Sequence, residues 1–297
     1  MDIRKIIVII TVVSAVCIAV VLLQLPRQNA KDYMSLKAKH YSRQDDPEFY
    51  NQAYAIGTLY RKRVPGHVMG GIIPHHLLAG PLIAGFFSGL DDYNIRTVIL
   101  IGPNHYASGP YGITSSEGVW KTVFGTLETD SAKVNRLVSS GTVSVYEPLF
   151  DREHAVYGIA PFIKRTFPHA LFVPIVLKST VTRTECNALA RALTAVVDDH
   201  TLVLASVDFS HYLSSNEADT FDMQSIAALT AFDTNKVFQL HPTHNADSPG
   251  ALYTLLRVMQ AEQVIHATLL VNSNSAKLTR QPDLTSTTSY VTMYFSR

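Results

Sequence analysis

Short apolar runs rich in β-branched residues alternate with segments of helical periodicity from Val64 to the end of the chain. The sequence predicts strands at residues 69–73, 97–101, 171–177, 201–207, 267–271 and 289–295. It predicts helices at residues 77–90, 184–197, 217–232 and 249–259. Strands separated by helices of about ten to fifteen residues are typical of βαβ units. The pattern therefore predicts an α/β domain with a mostly parallel sheet that helices cover on both faces.

The start of the chain has a different pattern. Residues 6–23 are all apolar except Thr11 and Ser14. A helix of this length nearly reaches the hydrocarbon thickness of a bilayer, basic residues precede it, and no small-residue cleavage site follows it. The sequence therefore predicts an uncleaved transmembrane anchor within residues 1–27, with the lipid bilayer as its partner through residues 6–23.

The predicted anchor divides the chain into the span, a polar stalk at residues 28–63 and a globular domain at residues 64–297. More basic residues follow the span than precede it, which favours a cytoplasmic domain by charge count. A short basic tail before the span is typical of signal anchors that place the domain outside. We expect a single-pass membrane protein with an extracytoplasmic domain.

Composition excludes two classes of protein. Of 297 residues, 25 are Lys or Arg and 24 are Asp or Glu, so the net charge of +1 provides no basic field for nucleic acid. Cys17 and Cys186 are the only cysteines, which excludes a disulfide framework. Cys186 lies at the start of a helical pattern and is expected to be a buried thiol.

Histidines follow three of the predicted strands. His75 and His76 follow the first strand, His105 follows the second, and Asp208 and His211 follow the fourth. Because the carboxyl ends of parallel strands lie along one edge, these side chains are expected to converge. Histidine is a common ligand of transition metals and a natural acid or base near neutral pH. The sequence predicts a metal site or a histidine-assisted reaction there.

Other residues are weaker candidates. Asn104 lies in the turn before His105, and Asn274 follows the fifth strand. Glu153 and His154 are adjacent in a polar loop, where a direct role and a supporting salt bridge are equally open. The chain contains no Gly-x-Ser-x-Gly elbow, phosphate-binding glycine loop or His-Glu-x-x-His helix.

Seven segments resemble the Memo-like proteins, which are called AmmeMemoRadiSam system protein B in bacteria and archaea. They recur in the family's order between Val64 and Phe295. The segments are GGIIPHHLLAG, VILIGPNHYASG, VWKTVFGTLETD, REHAVYGIAPFIKRTFP, VPIVL, ASVDFSHY, and NSNSAK with TSYVTMYF. The resemblance implies a three-layer α/β/α sandwich around a mixed sheet, similar to class III (LigB-type) extradiol dioxygenases.

The resemblance also implies roles for single residues. His75 and His105 match metal-ligand histidines, and His211 matches a histidine that acts as acid or base in the dioxygenase relatives, with Asp208 as its motif partner. His76 has no assigned role. The third ligand is a cysteine in animal members and a glutamate in the dioxygenases, whereas residues 272–277 here contain neither. A divalent ion such as Fe, Zn or Cu is expected, and redox catalysis is not.

Three functions follow from these residues. The first is a metal-dependent enzyme that acts on a small or peptide-borne substrate, with His211 as acid or base. The second is a non-catalytic binding or adaptor module that keeps the pocket. The third is a hydrolase that uses a metal-bound water.

Overall fold

A nine-stranded mixed sheet runs through the computed structural model, which describes residues 37–297. The order of its main path is β10-β12-β2-β9-β3-β8-β4-β7, and β11 pairs with β12. Three short strands, β1, β5 and β6, form a second sheet. The strands are β1 (Lys39–Tyr41), β2 (Val68–Ile73), β3 (Thr97–Pro103), β4 (Ile113–Ser115), β5 (Val119–Thr122), β6 (Gly125–Leu127), β7 (Ser144–Val145), β8 (Leu171–Leu177), β9 (Thr201–Ser206), β10 (His211–Leu213), β11 (His266–Asn274) and β12 (Thr287–Ser296).

Helices connect most of these strands, and two 3₁₀ turns lie at Leu77–Ala79 and Glu147–Leu149. The helices are α1 (Pro47–Gly57), α2 (Gly80–Ser88), α3 (Ser131–Ser139), α4 (His154–Tyr157), α5 (Ala160–Thr166), α6 (Arg183–Thr194), α7 (Ser215–Thr230), α8 (Thr234–Phe238), α9 (Pro249–Ala261) and α10 (Ser275–Thr279).

The centre of the sheet is parallel. β9 lies between β2 and β3 and is parallel to both, and β3 is also parallel to β8. Every residue of β2, β3 and β9 is buried, which explains their nearly continuous apolar sequences. The carboxyl ends of these three strands consequently lie side by side at one edge.

The outer strands make the sheet mixed. β12 is antiparallel to β2, β10 and β11, and β4 is antiparallel to β8. The expectation of a mostly parallel sheet therefore applies to the central strands. β11 and β12 are joined by the short helix α10 and a turn and pair antiparallel over most of their length.

Helices cover both faces of the sheet, and each face has its own apolar core. One core contains Leu189 of α6 and Leu252 and Met259 of α9. The other contains Phe86 of α2 and Phe162 of α5. The prediction of an α/β domain is confirmed.

The compact unit begins at Ala38, upstream of the boundary that the sequence predicts at Val64. β1 pairs with β5, and α1 buries Tyr50 and Ala53 in the core. His40 is buried and lies 2.9 Å from Asp151 and 2.7 Å from Glu147. These contacts attach the predicted stalk, from Ala38 onward, to the domain.

The prediction of a single-pass membrane protein with an extracytoplasmic domain is contradicted. Within residues 37–297, no helix has both the length and the apolar character needed to cross a bilayer. Residues 6–23, on which that prediction depends, lie outside the described part of the chain.

Gly71 gives a test of how tightly β2 is packed. A Cβ atom at this position would overlap the Phe86 ring and lie 2.8 Å from the carbonyl oxygen of Met293. We expect Gly71→Ala to lower the free energy of unfolding by about 1–3 kcal/mol because the added methyl group overpacks a buried site. Urea denaturation of both proteins measures the change.

Gly112→Ala is the matched control. A Cβ atom at Gly112 would make an ordinary contact, 3.5 Å from Val181, so a change within about 0.5 kcal/mol is expected. Equal effects of the two substitutions would contradict the packing argument.

Candidate metal centre

Three histidine rings meet at the edge where β2, β3 and β9 end. The ring of His75 lies 4.9 Å from that of His105 and 5.0 Å from that of His154, and the rings of His105 and His154 stack at 4.0 Å. One nitrogen from each ring lies within 4.8 Å of the other two. These three residues are positioned so that they could hold a metal ion.

The chain around His75 fixes the orientation of its ring. The backbone N–H of His75 donates to Asp208 Oδ1 at 3.0 Å. Ser206 Oγ donates its single hydrogen to the Ala155 carbonyl at 2.7 Å and lies 3.3 Å from His75 Nδ1. The hydroxyl can therefore only accept from His75 Nδ1, which leaves Nε2 with the free lone pair in the neutral ring.

Glu153 orients His105 in the same manner. Its carboxylate is buried and lies 2.7 Å from His105 Nδ1, accepts from the His105 backbone N–H at 2.9 Å, and accepts from the Ala155 N–H at 3.0 Å. The last bond caps the start of α4, the helix that His154 begins. A carboxylate on Nδ1 leaves Nε2 to face the centre of the site, which is the usual arrangement around a metal-ligating histidine.

Asp247 completes the cluster. Its Oδ2 lies 3.2 Å from His75 Nε2 and 3.5 Å from His105 Nε2. Backbone pairing brings it there, because its N–H donates to the Asp208 carbonyl and Ala246 bridges to Phe209. His75 Nε2 and Asp247 Oδ1 are buried without a hydrogen-bond partner. Unpaired buried donors and acceptors of this kind fit a metal ion.

The carboxylates separate the pKa values of the three histidines. Burial lowers the pKa of His105, but the hydrogen bond to Glu153 and the nearby carboxylate of Asp247 outweigh it and raise the pKa to about 10. Burial also opposes the charged form of His75, and the charges of Asp208 and Asp247 raise its pKa above the usual value. Burial and the neighbouring His75 and His105 lower the pKa of His154 to about 4.

The pKa values of Asp247 and Glu153 are shifted downward. Burial opposes ionisation of Asp247, but the neighbouring charges of His75 and His105 hold its pKa well below the usual range. The hydrogen bond from His105 likewise keeps the pKa of buried Glu153 low. The cluster therefore contains ionised carboxylates beside two imidazoles, those of His75 and His105, that bind protons strongly when no other cation is present.

The other predicted residues lie around this cluster in different roles. Asp208 bonds to the backbone N–H groups of His75 and His76. His76 Nδ1 lies 2.8 Å from the Tyr290 hydroxyl, and burial lowers the pKa of its ring. His211 contributes to the lowered pKa of His76, and the His211 ring contacts that of Tyr212. The structure thus brings His211 near His76 but does not include it among the three rings that meet.

The two asparagines have structural bonds. Asn104 bonds twice with Ser108 and closes the loop after β3. Asn274 is buried, caps α10 by accepting from the Lys277 N–H, and donates to Ser215 Oγ. Asn104 lines the cavity beside the cluster, whereas the amide of Asn274 is bonded elsewhere.

Sequence reasoning did not identify Asp247, Ser206 or Tyr290. Asp247 precedes a helix and follows no strand, so the search for polar residues at strand ends passed over it. The one available signal is Ser248-Pro249, a typical helix start, which places Asp247 directly before the first turn of α9.

A cavity of about 420 Å³ opens beside His105 and Asp247. Its walls combine apolar side chains with polar ones, which include Asn104, Lys178 and Ser179. The apolar wall residues are Ala107, Leu177, Val181, Phe238, Leu240, Pro242 and Pro249. This volume suits a small organic molecule.

Comparisons with known proteins agree with this architecture. The family model described as Memo-like protein matches residues 52–294. A MEMO1 family protein of Pyrobaculum aerophilum is 26% identical over 250 residues, covering 81% of this chain and 88% of that protein. A MEMO1 family protein of Methanococcus maripaludis strain C5 is 27% identical over 226 residues, covering 71% of this chain and 79% of that protein. The crystal structure of an uncharacterized Escherichia coli K12 protein covers 76% of this chain and all of that one, with a TM-score of 0.50 and 15% identity, and shows similarity of fold alone.

The pKa values predict which rings are charged in the metal-free protein. At pH 7 we expect His105 to be protonated, because its pKa is about 10, and His154 to be neutral, because its pKa is about 4. An NMR titration of the histidine rings of the full chain, in the presence of a chelator, measures both values.

Glu153→Gln is the informative variant for this titration. Removing the carboxylate at His105 Nδ1 takes away one of the two acids that raise the pKa of that ring. The pKa of His105 should therefore fall. A His105 that titrates near 6.5 in the unmodified chain would contradict the described charge balance.

Proposed function

This chain belongs to the Memo-like family, whose model matches residues 52–294, and from that premise we propose that it is a metal-dependent enzyme acting on a small substrate. The ion is held by His75 and His105, with His154 within reach. The observation that carries the proposal is the approach of three imidazole nitrogens to within 4.8 Å. Imidazole is a common ligand of Zn, Fe and Cu.

The residues around the ion have separate tasks. A bound divalent ion supplies Lewis-acid chemistry and lowers the pKa of water at the site. Glu153 and Ser206 keep the Nε2 atoms of His105 and His75 directed inward through bonds to Nδ1. His211 lies on the side of His76 and is not among the residues that line the cavity described above; it is proposed as an acid or base that moves protons to or from the site.

The cavity beside His105 is the proposed substrate site. Its apolar walls exclude water from part of a bound molecule, while His105 and Asp247 lie at the side that faces the metal cluster. A substrate with an apolar body and a polar reacting group would place that group next to the ion. Hydrolysis fits this arrangement, because it requires no redox change at the metal.

A non-catalytic binding module is the second candidate. One observation favours it: Asn274 caps α10, and residues 272–277 offer neither the cysteine nor the glutamate that relatives use as a ligand. In that case the site would bind an ion and a ligand without turnover. Full metal occupancy with no hydrolysis of a panel of small aryl and phosphate esters would favour this candidate.

The first test is metal content. We expect the full chain to bind about one equivalent of Zn²⁺, and His75→Ala and His105→Ala each to lose most of this binding, because each substitution removes a nitrogen ligand. Elemental analysis after dialysis, together with a titration against a chromophoric chelator, measures stoichiometry and affinity.

His169→Ala provides a matched control, since His169 is an exposed histidine away from the cluster. It should bind as much Zn²⁺ as the unmodified chain. Equal metal content in all four proteins would remove the ligand assignment. Affinity should also rise with pH, because protons compete with the ion for His105.

The second test examines the cavity. Benzohydroxamate and acetohydroxamate share one metal-chelating group and differ in an aromatic ring. With the Zn²⁺-loaded chain we expect benzohydroxamate to bind at least about tenfold more tightly, or about 1.4 kcal/mol, because its ring buries apolar surface in the cavity. Calorimetry of both probes measures the difference.

Leu240→Asn makes one apolar wall of the cavity polar. This variant should retain its Zn²⁺ and lose much of the preference for benzohydroxamate. If both probes bind the unmodified chain with equal affinity, the cavity is not the site that the metal faces.

A further inference from the structure

We propose that Asp247 is the third protein ligand of the ion, completing a set of two histidines and one carboxylate. The inference rests on the metal binding proposed above and adds a residue that neither the sequence motifs nor the histidine cluster assigns. It replaces the ligand that the chain lacks in residues 272–277.

The distances between the candidate ligand atoms fit a shared ion. Ligands at about 2.1 Å from a metal stand about 3.0–3.4 Å apart in octahedral or tetrahedral geometry. Asp247 Oδ2 lies 3.2 Å from His75 Nε2 and 3.5 Å from His105 Nε2. These two distances are at or close to that range, and a ring nitrogen of His75 lies within 4.8 Å of one of His105.

The bonding of these atoms also fits a cation shared between them. His75 is 1% exposed, and its Nε2 has no hydrogen bond although a carboxylate oxygen is 3.2 Å away. Asp247 Oδ1 is buried and has no partner either. Two groups that are close but not aligned for a hydrogen bond are satisfied together by an ion placed between them.

The nearby acids are already occupied by backbone groups. Asp208 Oδ1 accepts from the N–H groups of His75 and His76. Glu153 accepts from those of His105 and Ala155 and bonds to His105 Nδ1. Asp247 takes a single long bond, 3.4 Å from the Asp208 N–H. It is the carboxylate of this cluster with the most unused acceptor capacity.

The assignment of Asp247 as a ligand also places the proposed ion beside the cavity. His105 and Asp247 line the cavity, whereas His75 is buried behind them. Two histidines and one carboxylate leave coordination positions free for exogenous molecules. His105 and Asp247 would hold the ion at the wall of the cavity. His154, whose side chain is 36% exposed, flanks the set from the other side.

A gain of signal tests the assignment directly. Co²⁺ bound by a cysteine thiolate shows a ligand-to-metal charge-transfer band in the near ultraviolet. We expect Co²⁺-loaded Asp247→Cys, in a full chain whose Cys17 is replaced by serine, to show this band and the Cys17→Ser chain alone to lack it, since the remaining native thiol, Cys186, is buried in a helix. Ser248→Cys, one residue further along the cavity wall, is the matched control and should show no band.

Zn²⁺ affinity provides the second readout and does not depend on the new thiol. Asp247→Asn keeps the size of the side chain and should weaken Zn²⁺ binding at least about tenfold, while His154→Ala should weaken it less. Circular dichroism of the metal-free variants verifies that each is folded.

The possible failures are distinguishable. If the unmodified chain binds no Zn²⁺, the proposed function fails together with this inference. If it binds Zn²⁺ through His75 and His105, but Asp247→Asn binds equally well and Asp247→Cys shows no band, only the role of Asp247 is overturned. Loss of affinity in His154→Ala alone would identify His154 as the third ligand instead.

Discussion

The parallel pairing of β2, β9 and β3 is the constraint on which the site depends. Their registers align Gly70 with Val203 and Ile99 with Val203, so the three strands end together. His75 and His105 follow two of these ends and Asp208 follows the third. None of these residues is near another in sequence, and backbone hydrogen bonding alone brings them to one edge. Any change that shifts β2, such as overpacking at Gly71, therefore acts on the position of His75.

Buried charge is the second determinant of the site. Glu153 and Asp208 are nearly inaccessible to water, and each is stabilised by backbone N–H groups as well as by a histidine. Removing one partner of such a pair commonly costs about 3–5 kcal/mol because a buried charge is left uncompensated. Protons and a metal ion can both neutralise the carboxylates, so they compete for the same imidazole nitrogens. The charge balance thus couples metal binding to pH.

The sequence predicted the elements well and the site in part. Apolar runs and helical periodicity located the central strands and most of the long helices, because those segments are buried on a regular period. The antiparallel pairing of β12 was not evident, since an apolar strand looks alike in either direction. His75, His105 and His154 were identified from strand ends and from a polar loop. Asp247 was not, because only the pairing of Ala246 with Phe209 brings it to the edge. The membrane prediction was made from residues 6–23, and the described residues do not support it.

The polar residues at the end of β11 show why the third ligand must come from elsewhere in this chain. Asn274 accepts from the Lys277 N–H at the start of α10 and donates to Ser215. Asn272 donates to Asp222, a buried acid that also accepts from Ser210 and Ser289. A side chain that caps a helix has its oxygen engaged, so it is not free to coordinate an ion. Residues 272–277 here stabilise the junction of α7, α10 and β12, and Asp247, held through the backbone of Asp208, is left as the acid facing both histidines.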